Sequence, residues 1–400
     1  MKILTINSGS TSIKFKLYKM PEEKVLASGK VENIGIQGSK LTYKTESTDL
    51  KDKGYDIKDH RKGLNLIISS LLDEHSGVIK DKKEIDAIGH RVVNIGDRVG
   101  SHSIIDEKIL SYLQECIDLA PLHNPPNLLG IKVSMDEFGK DTSNIAVFDN
   151  IFHKGMPQKA YLYGLPLKYY EKYRIRKYGF HGIAYTYMVN RAAQMSGTDL
   201  ERLKIIALMM GGGSSITAVR NGISVDTSMG FTPTEGLIMS TRSGDIDPAI
   251  LPYLEKKEGL DPDQIDNIIN KESGILGLTG RFSSFLDVEE GFLKGDKGCI
   301  MAFESYVYRI KKYIGSYVAA MGGLDLVVFG GGIGENSSIA REQIFDGLDS
   351  LGIVLDKDEN ADNGKGERFI SSGDSKVKVA VASVDEEIVI ARETYGLLSR

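Results

Sequence analysis

Ile205-Ile206-Ala207-Leu208-Met209-Met210 is an unbroken apolar run, short enough to be a buried strand. It leads into Gly211-Gly212-Gly213-Ser214-Ser215 and then Ile216-Thr217-Ala218-Val219. Strand, glycine turn, strand predicts a hairpin whose turn carries almost no side chains. Such a turn lets backbone N–H groups and two hydroxyls approach an anion closely, which is how proteins cradle phosphate. Downstream, Asp226-Thr227-Ser228-Met229-Gly230-Phe231-Thr232-Pro233 precedes Thr241-Arg242-Ser243-Gly244-Asp245-Ile246-Asp247-Pro248. An arginine among small residues and carboxylates suits a clamp on a phosphoryl group or a carboxylate substrate. Taken alone, the stretch reads equally well as an ordinary tight turn followed by polar loops.

The same grammar opens the chain. Lys2-Ile3-Leu4-Thr5-Ile6 predicts a strand, Asn7 to Ser12 a small polar turn, and Ile13 to Tyr18 a second strand. Gly9-Ser10-Thr11-Ser12-Ile13 matches Gly212-Gly213-Ser214-Ser215-Ile216 about half a chain later, which suggests duplicated halves. Each half would then offer a phosphate-binding hairpin to a shared cleft.

The 400 residues leave room for two or three domains, and 41% hydrophobic with 26% charged residues is ordinary for a soluble globular protein. A net charge of -5 gives no basic footprint, so nucleic acid is not the indicated partner. Cys116 and Cys299 match no metal or redox spacing and fit a reducing compartment. No apolar run approaches a membrane span, and a structured motif begins almost at Met1 where a leader would stand; the expectation is a cytosolic protein.

In order, Ile85-Asp86-Ala87-Ile88 predicts a strand that delivers His90 and Arg91 near its end, where α/β proteins commonly place functional side chains. Pro121 to Pro126 holds His123 on a rigid turn, with a helix expected from Asn127 to Phe138. Ile145 to Phe148 is a buried strand ending in Asp149, a candidate base or metal ligand and equally a helix cap. Tyr178-Gly179-Phe180-His181-Gly182 suits a close-approach loop. Residues 249–320 read as largely helical, with a loop at Ser273-Gly274-Ile275-Leu276-Gly277. Leu324 to Phe329 predicts a strand, Gly330 to Ser337 a glycine loop and Ser338 to Leu348 a helix, a nucleotide-site layout that is neither a Rossmann fingerprint nor a Walker A loop. Asp385-Glu386-Glu387 precedes the last helix, as helix-start carboxylates or as magnesium ligands.

Taken in order, these motifs resemble the acetate kinases of the acetate and sugar kinase/Hsc70/actin superfamily, over nearly the whole chain. The likeness runs through Asn7-Ser8-Gly9-Ser10 to Lys14, Gly89 to Val93, Ala120 to Pro126, Lys177 to Gly182, Thr227 to Pro233, Gly332 to Ser337 and Glu386-Glu387. It implies an α/β fold of two duplicated ribonuclease H-like, actin-like ATPase domains around a central cleft. Residues 1–150 plus 384–400 would form the N-terminal domain, and 151–383 a C-terminal nucleotide-binding and dimerisation domain. The implied reaction moves the γ-phosphoryl of ATP to acetate, giving acetyl phosphate and ADP, with Mg2+ or Mn2+, in a homodimer. Mapped by motif, Arg91 and Arg242 bind the carboxylate and the transferring phosphoryl, Asp149 is the essential carboxylate, and His123 and His181 steady the transition state. Asn7 and Glu386 position the metal. Ser10, Ser12, Lys14, Gly211, Gly212, Gly213, Gly332, Gly334 and Asn336 fall to the nucleotide. Val93, Leu122, Phe180 and Pro233 match an apolar pocket for the acetate methyl; one methylene is worth only about 1–3 kcal/mol, so propionate competes.

The chain departs from that pattern at Met209 and Gly212, where a histidine and an asparagine are usual, and at Asn94, Ile95, Tyr185, Ser284 and Leu286. Most of these changes remove a polar partner, several on the nucleotide side. Removing one preorganised donor to transition-state charge typically costs about 2.7–4 kcal/mol. Three readings stay open: an acetate kinase with altered donor use, pyrophosphate or phosphate included, or a reduced rate; an impaired relative that binds a nucleotide or acyl phosphate; and a kinase for another short carboxylate.

Overall fold

The apolar run at Ile205 is the third strand inward of a mixed sheet, and its antiparallel partner follows after the three glycines. The computed structural model describes residues 1–121, 123–364 and 366–399, so Leu122 lies outside the described residues. The chain divides into two compact units, residues 1–151 with 385–400, and residues 152–384.

In the first unit the strands are β1 (Lys2–Ser8), β2 (Ser12–Lys19), β3 (Lys24–Glu32), β4 (Lys40–Thr45), β5 (Asp49–Gly54), β6 (Ala87–Val92), β7 (Ser103–Ile104) and β8 (Ser143–Phe148). They lie in the order β5-β4-β3-β2-β1-β6-β8-β7. The second unit holds β9 (Lys204–Met210), β10 (Ser214–Arg220), β11 (Ile223–Thr227), β12 (Leu326–Gly330), β13 (Arg368–Phe369) and β14 (Lys378–Val381). Their order is β11-β10-β9-β12-β14-β13. In each sheet three antiparallel strands are followed by two parallel ones: β3-β2-β1 then β6-β8, and β11-β10-β9 then β12-β14. The fold is duplicated, as the twin hairpins suggested. The five-residue match does not survive as register, however. Ser8 pairs with Ile13 at the mouth of the first turn, whereas Ile216 pairs with Leu208, two steps inside the second ladder. Strand order is repeated; turn length is not.

Four local expectations need correction. Gly331–Asn336 is a short helix rather than a loop, because Gly331 takes φ +78 and lets the chain turn at once beneath the Met210 carbonyl. Gly274–Thr279 is likewise helical. The helix expected from Asn127 begins at Asn124, with Pro125 and Pro126 inside its first turn, where a missing N–H costs nothing. The helix after Ser337 ends at Phe345. No helix among the described residues is long and apolar enough to cross a membrane.

The last helix, Glu386–Leu398, returns to the first unit and packs against β1 and β6. Contact is closest at Gly89, where a Cβ would stand 2.4 Å from Thr394 Oγ1 and 2.6 Å from Ile390 Cγ2. Gly89→Ala should therefore overpack this seam by about 1–3 kcal/mol and lower the thermal midpoint. A melting curve superimposable on wild type would contradict that placement.

Candidate active site

In the first unit three charged groups from distant sequence converge. Arg91 sits near the end of β6, Asp149 directly after β8, and Glu386 is the first residue of the C-terminal helix. Arg91 Nε and Nη2 donate to Asp149 Oδ2 at 3.0 and 2.7 Å, and Nη1 lies 3.1 Å from Glu386 Oε2. Burial alone would lower the Arg91 pKa, but the charges of Asp149 and Glu386 hold it above its ordinary value. Glu386 is pushed up by burial and by the negative charge of Asp149 and Glu387, with Arg91 and Lys14 pulling the other way. Two carboxylates share one guanidinium, which leaves surplus negative charge at the helix start.

Asp385 caps that helix, accepting from Ile388 N–H, and takes Lys16 Nζ at 2.7 Å. Asn7 stands opposite Lys14 in the β1–β2 ladder, and Ser10 and Ser12 lie in and just after the turn, the former exposed. His123 is the residue before the helix Asn124–Phe138 and is half-buried.

The loop after β6 is pinned by asparagines that sequence reading passed over. Asn127 Oδ1 accepts from Val93 N–H while its Nδ2 donates to Ser8 O, tying that loop to the end of β1. Asn124 Nδ2 donates to Asn94 O, and Asn150 accepts from Ile95 N–H and donates to Gly96 O. Asn94 and Ile95, two of the departures, are both fully buried, the former accepting from Gly96 N–H and the latter in an apolar cluster. Both are packed into the loop itself. Buried asparagines beside a motif leave no periodic signal, so a single sequence cannot expose them. His102 was also missed: its Nδ1 accepts from Phe148 N–H at 3.1 Å, and burial pushes its pKa down to about 4 despite the nearby Asp149 charge.

The second unit gathers the other expected residues around the β9–β10 turn. Gly211, Gly212 and Gly213 all lie outside the left-handed region, so what glycine supplies here is room. A Cβ on Gly213 would stand 3.5 Å from Arg242 Nη1 and 3.7 Å from His181 Nε2. Arg242 is half-buried, donates weakly to Pro233 O at 3.5 Å, and has no carboxylate within salt-bridge distance among the described residues. Burial lowers its pKa. A guanidinium kept from water without an internal counter-charge is a site prepared for an anion. The segment bearing it is fixed by Ile275 N–H on Met239 O, Leu276 N–H on Ser240 O and Ser243 N–H on Ile269 O.

His181 takes a left-handed conformation (φ 59) ahead of the helix Gly182–Ser196, and its Nδ1 lies 2.8 Å from Ser215 Oγ. Phe180 is buried, and its carbonyl accepts from His153 Nε2 at 2.9 Å, so His153 is a structural residue. Beside the turn, a cavity of about 520 Å³ is bounded by Gly211, Gly212, Gly332, Asn336, Ser284 and Leu286. That size suits a small-molecule ligand. Gly334 does not line it: its carbonyl accepts from Arg341, a fully buried guanidinium that also binds Glu335 O and Asn360 and so caps the helix Gly331–Asn336.

The duplicated sheets define the class first: two actin-like ATPase domains in one chain. A family model described as the Acetokinase family matches residues 2–392, and the chain belongs to that family. It is 50% identical over 403 residues to the acetate kinase of Thermotoga maritima, covering 100% of this chain and 99% of that one. Among solved structures it resembles the acetate kinase of Porphyromonas gingivalis, with TM-score 0.92, 41% identity and 99% of both chains covered. A propionate kinase from Francisella tularensis subsp. tularensis SCHU S4 gives TM-score 0.91 at 36% identity, again over 99% of both chains.

Because the folded-state pKa of Glu386 is raised, its ionisation opposes folding: its stability contribution is complete below the ordinary glutamate range and is lost as pH rises. Glu386→Gln should therefore be more stable than wild type near neutrality, the difference shrinking as pH falls from the raised folded-state value to the ordinary glutamate range. Thermal midpoints across pH measure this, and a constant or inverted difference would contradict it.

Proposed function

We propose that the chain catalyses reversible phosphoryl transfer from ATP to acetate, giving acetyl phosphate and ADP. The reading follows from membership of the family and from relatives named acetate kinase over the whole chain length. The protein is thus a phosphotransferase with a carboxyl group as acceptor. The observation that carries the mechanism is Arg242: desolvated, without a carboxylate partner among the described residues, and beside a glycine that leaves space next to His181.

Acetate is ionised at neutral pH, so its oxygen attacks the γ-phosphorus in line without a base, and the bond to the ADP oxygen breaks as the new one forms. What the protein must supply is position and positive charge. Arg242 and His181 serve the equatorial oxygens of the transferring group, with His123 in the same role. Arg91 orients the acetate carboxylate, and Asp149 holds Arg91 through its Nε and Nη2. The family resemblance assigns Val93, Phe180 and Pro233 to the methyl group, and likewise Leu122, which lies outside the described residues. The cavity at Gly211, Gly212, Gly332 and Asn336 takes the nucleoside end, while Gly213, Ser10, Ser12 and Lys14 attend the phosphates.

A divalent cation suits the first unit, where Glu386 and Asn7 offer oxygen donors within surplus negative charge. No group of three or more His, Cys, Asp or Glu among the described residues forms a cage, and Mg2+ typically needs only one or two carboxylates with phosphate and water. When bound, it would neutralise charge on the β- and γ-phosphates. The same reading makes the protein a cytosolic homodimer acting on small molecules.

An impaired relative and a donor without a nucleoside are not favoured. The 520 Å³ cavity persists despite Ser284 and Leu286, and a pyrophosphate donor would leave it without an occupant. Tyr185, one of the departures, makes a hydrogen bond of its own, to Ser215. A kinase whose main acceptor is another short carboxylate is likewise not favoured.

Purified protein with magnesium should form acetyl phosphate from ATP and acetate, and Arg242→Ala should lower kcat by about 10²–10³-fold. A silent wild type, or an Arg242→Ala variant as fast as wild type, would overturn the proposal.

A further inference from the structure

Tyr185, in the first turn of the helix Gly182–Ser196, is fully buried at a position where the chain leaves the resembled pattern. Its phenol oxygen lies 2.5 Å from Ser215 Oγ, and the same Ser215 Oγ lies 2.8 Å from His181 Nδ1. Tyr185 and Ser215 are both 0% exposed.

Counting protons fixes the direction of the chain of bonds. Burial holds the Tyr185 phenol in its protonated form, and its single proton must be donated, since a buried unmade bond is costly. Ser215 Oγ is the acceptor against it. Ser215 then directs its own proton to His181 Nδ1, which must be the unprotonated nitrogen. The other tautomer would donate from Nδ1 to Ser215, turn the serine proton back on Tyr185 and strand the phenol proton. The remaining ring nitrogen, Nε2, is the one 3.7 Å from where a Gly213 Cβ would stand, with Arg242 Nη1 3.5 Å from the same point.

We infer that Tyr185, acting through Ser215, is a positioning residue that sets the tautomer of His181, so that Nδ1 accepts and Nε2–H is presented beside Gly213 and Arg242. The inference rests on the proposed phosphoryl transfer for its purpose: a neutral imidazole fixed as a donor stabilises an anionic transition state and cannot act as a base from Nε2. It makes the tyrosine a substitute route to an ordered site.

Nitrogen NMR of the full-length protein labelled at histidine tests it, with His181→Gln used to assign the resonances. Wild-type His181 should show an unprotonated, accepting Nδ1 and a protonated Nε2. Tyr185→Phe keeps the ring but frees Ser215 to accept, so Nδ1 should shift toward the protonated form. With it, kcat should fall about tenfold, less than deletion of a transition-state donor outright, with KM changed less. Ser215→Ala, which cuts the relay at its middle, should move the same resonance. A protonated Nδ1 in wild type, or an unchanged His181 signature in both variants, would overturn the inference. A wild type that forms no acetyl phosphate would instead sink the functional reading while leaving the tautomer measurable.

Discussion

In the first unit one guanidinium serves two carboxylates away from bulk water, and much of the local architecture follows from keeping that arrangement. Arg91 reaches Asp149 and Glu386 only because β6 and β8 run parallel and end together, and because the chain's last helix returns to start at the same edge. Burial penalises the charged form of Glu386, and the negative charge of Asp149 and Glu387 adds to this against the pull of Arg91, which is why Glu386 is held above its usual range. Gly89 lets the returning helix lie directly on β6. The asparagines at 124, 127 and 150 keep the next loop from relaxing away. The cluster leaves negative charge in excess at the start of the last helix.

The second unit carries the opposite imbalance. Arg242 is half-buried, and its backbone is closely packed by Gly274, whose hypothetical Cβ would stand 2.1 Å from Met239 O and 2.6 Å from Arg242 O. No described carboxylate compensates it. Within a protein interior such a charge is tolerated when a ligand supplies the missing partner. The three glycines of the β9–β10 turn serve this by leaving volume rather than by adopting an unusual backbone, and Ser214 and Ser215 behind them are fully buried and hold the turn and His181.

Much of this was legible in the sequence, for physical reasons that also mark where reading failed. β9, β10, β12 and β14 are apolar runs bounded by glycine or charge, and a buried strand has little alternative. The duplicated order was visible because both halves open on the same hairpin grammar. Register was not visible, since one residue of turn length moves every pairing. Glycine misled at Gly331 and Gly274, where positive φ starts a helix instead of extending a loop. Arg91, Asp149 and Glu386 were found through motif order, and the structure brings them together; His181 and Arg242 likewise meet at Gly213. Asn94, Ile95 and Tyr185 looked like lost ligands because a side chain's partner lies in three dimensions. Two of them are buried supports, and the third reaches Ser215.

The central claim is that Arg242 serves the transferring phosphoryl group and not the nucleoside. Calorimetric binding of ADP, alone and then with acetate and a trigonal metal fluoride that imitates the phosphoryl in flight, tests it on wild type and Arg242→Ala. The account predicts that both proteins bind ADP alike, and that only wild type gains a large further affinity from the mimic. An Arg242→Ala protein that keeps that gain, or one that loses ADP itself, would contradict it.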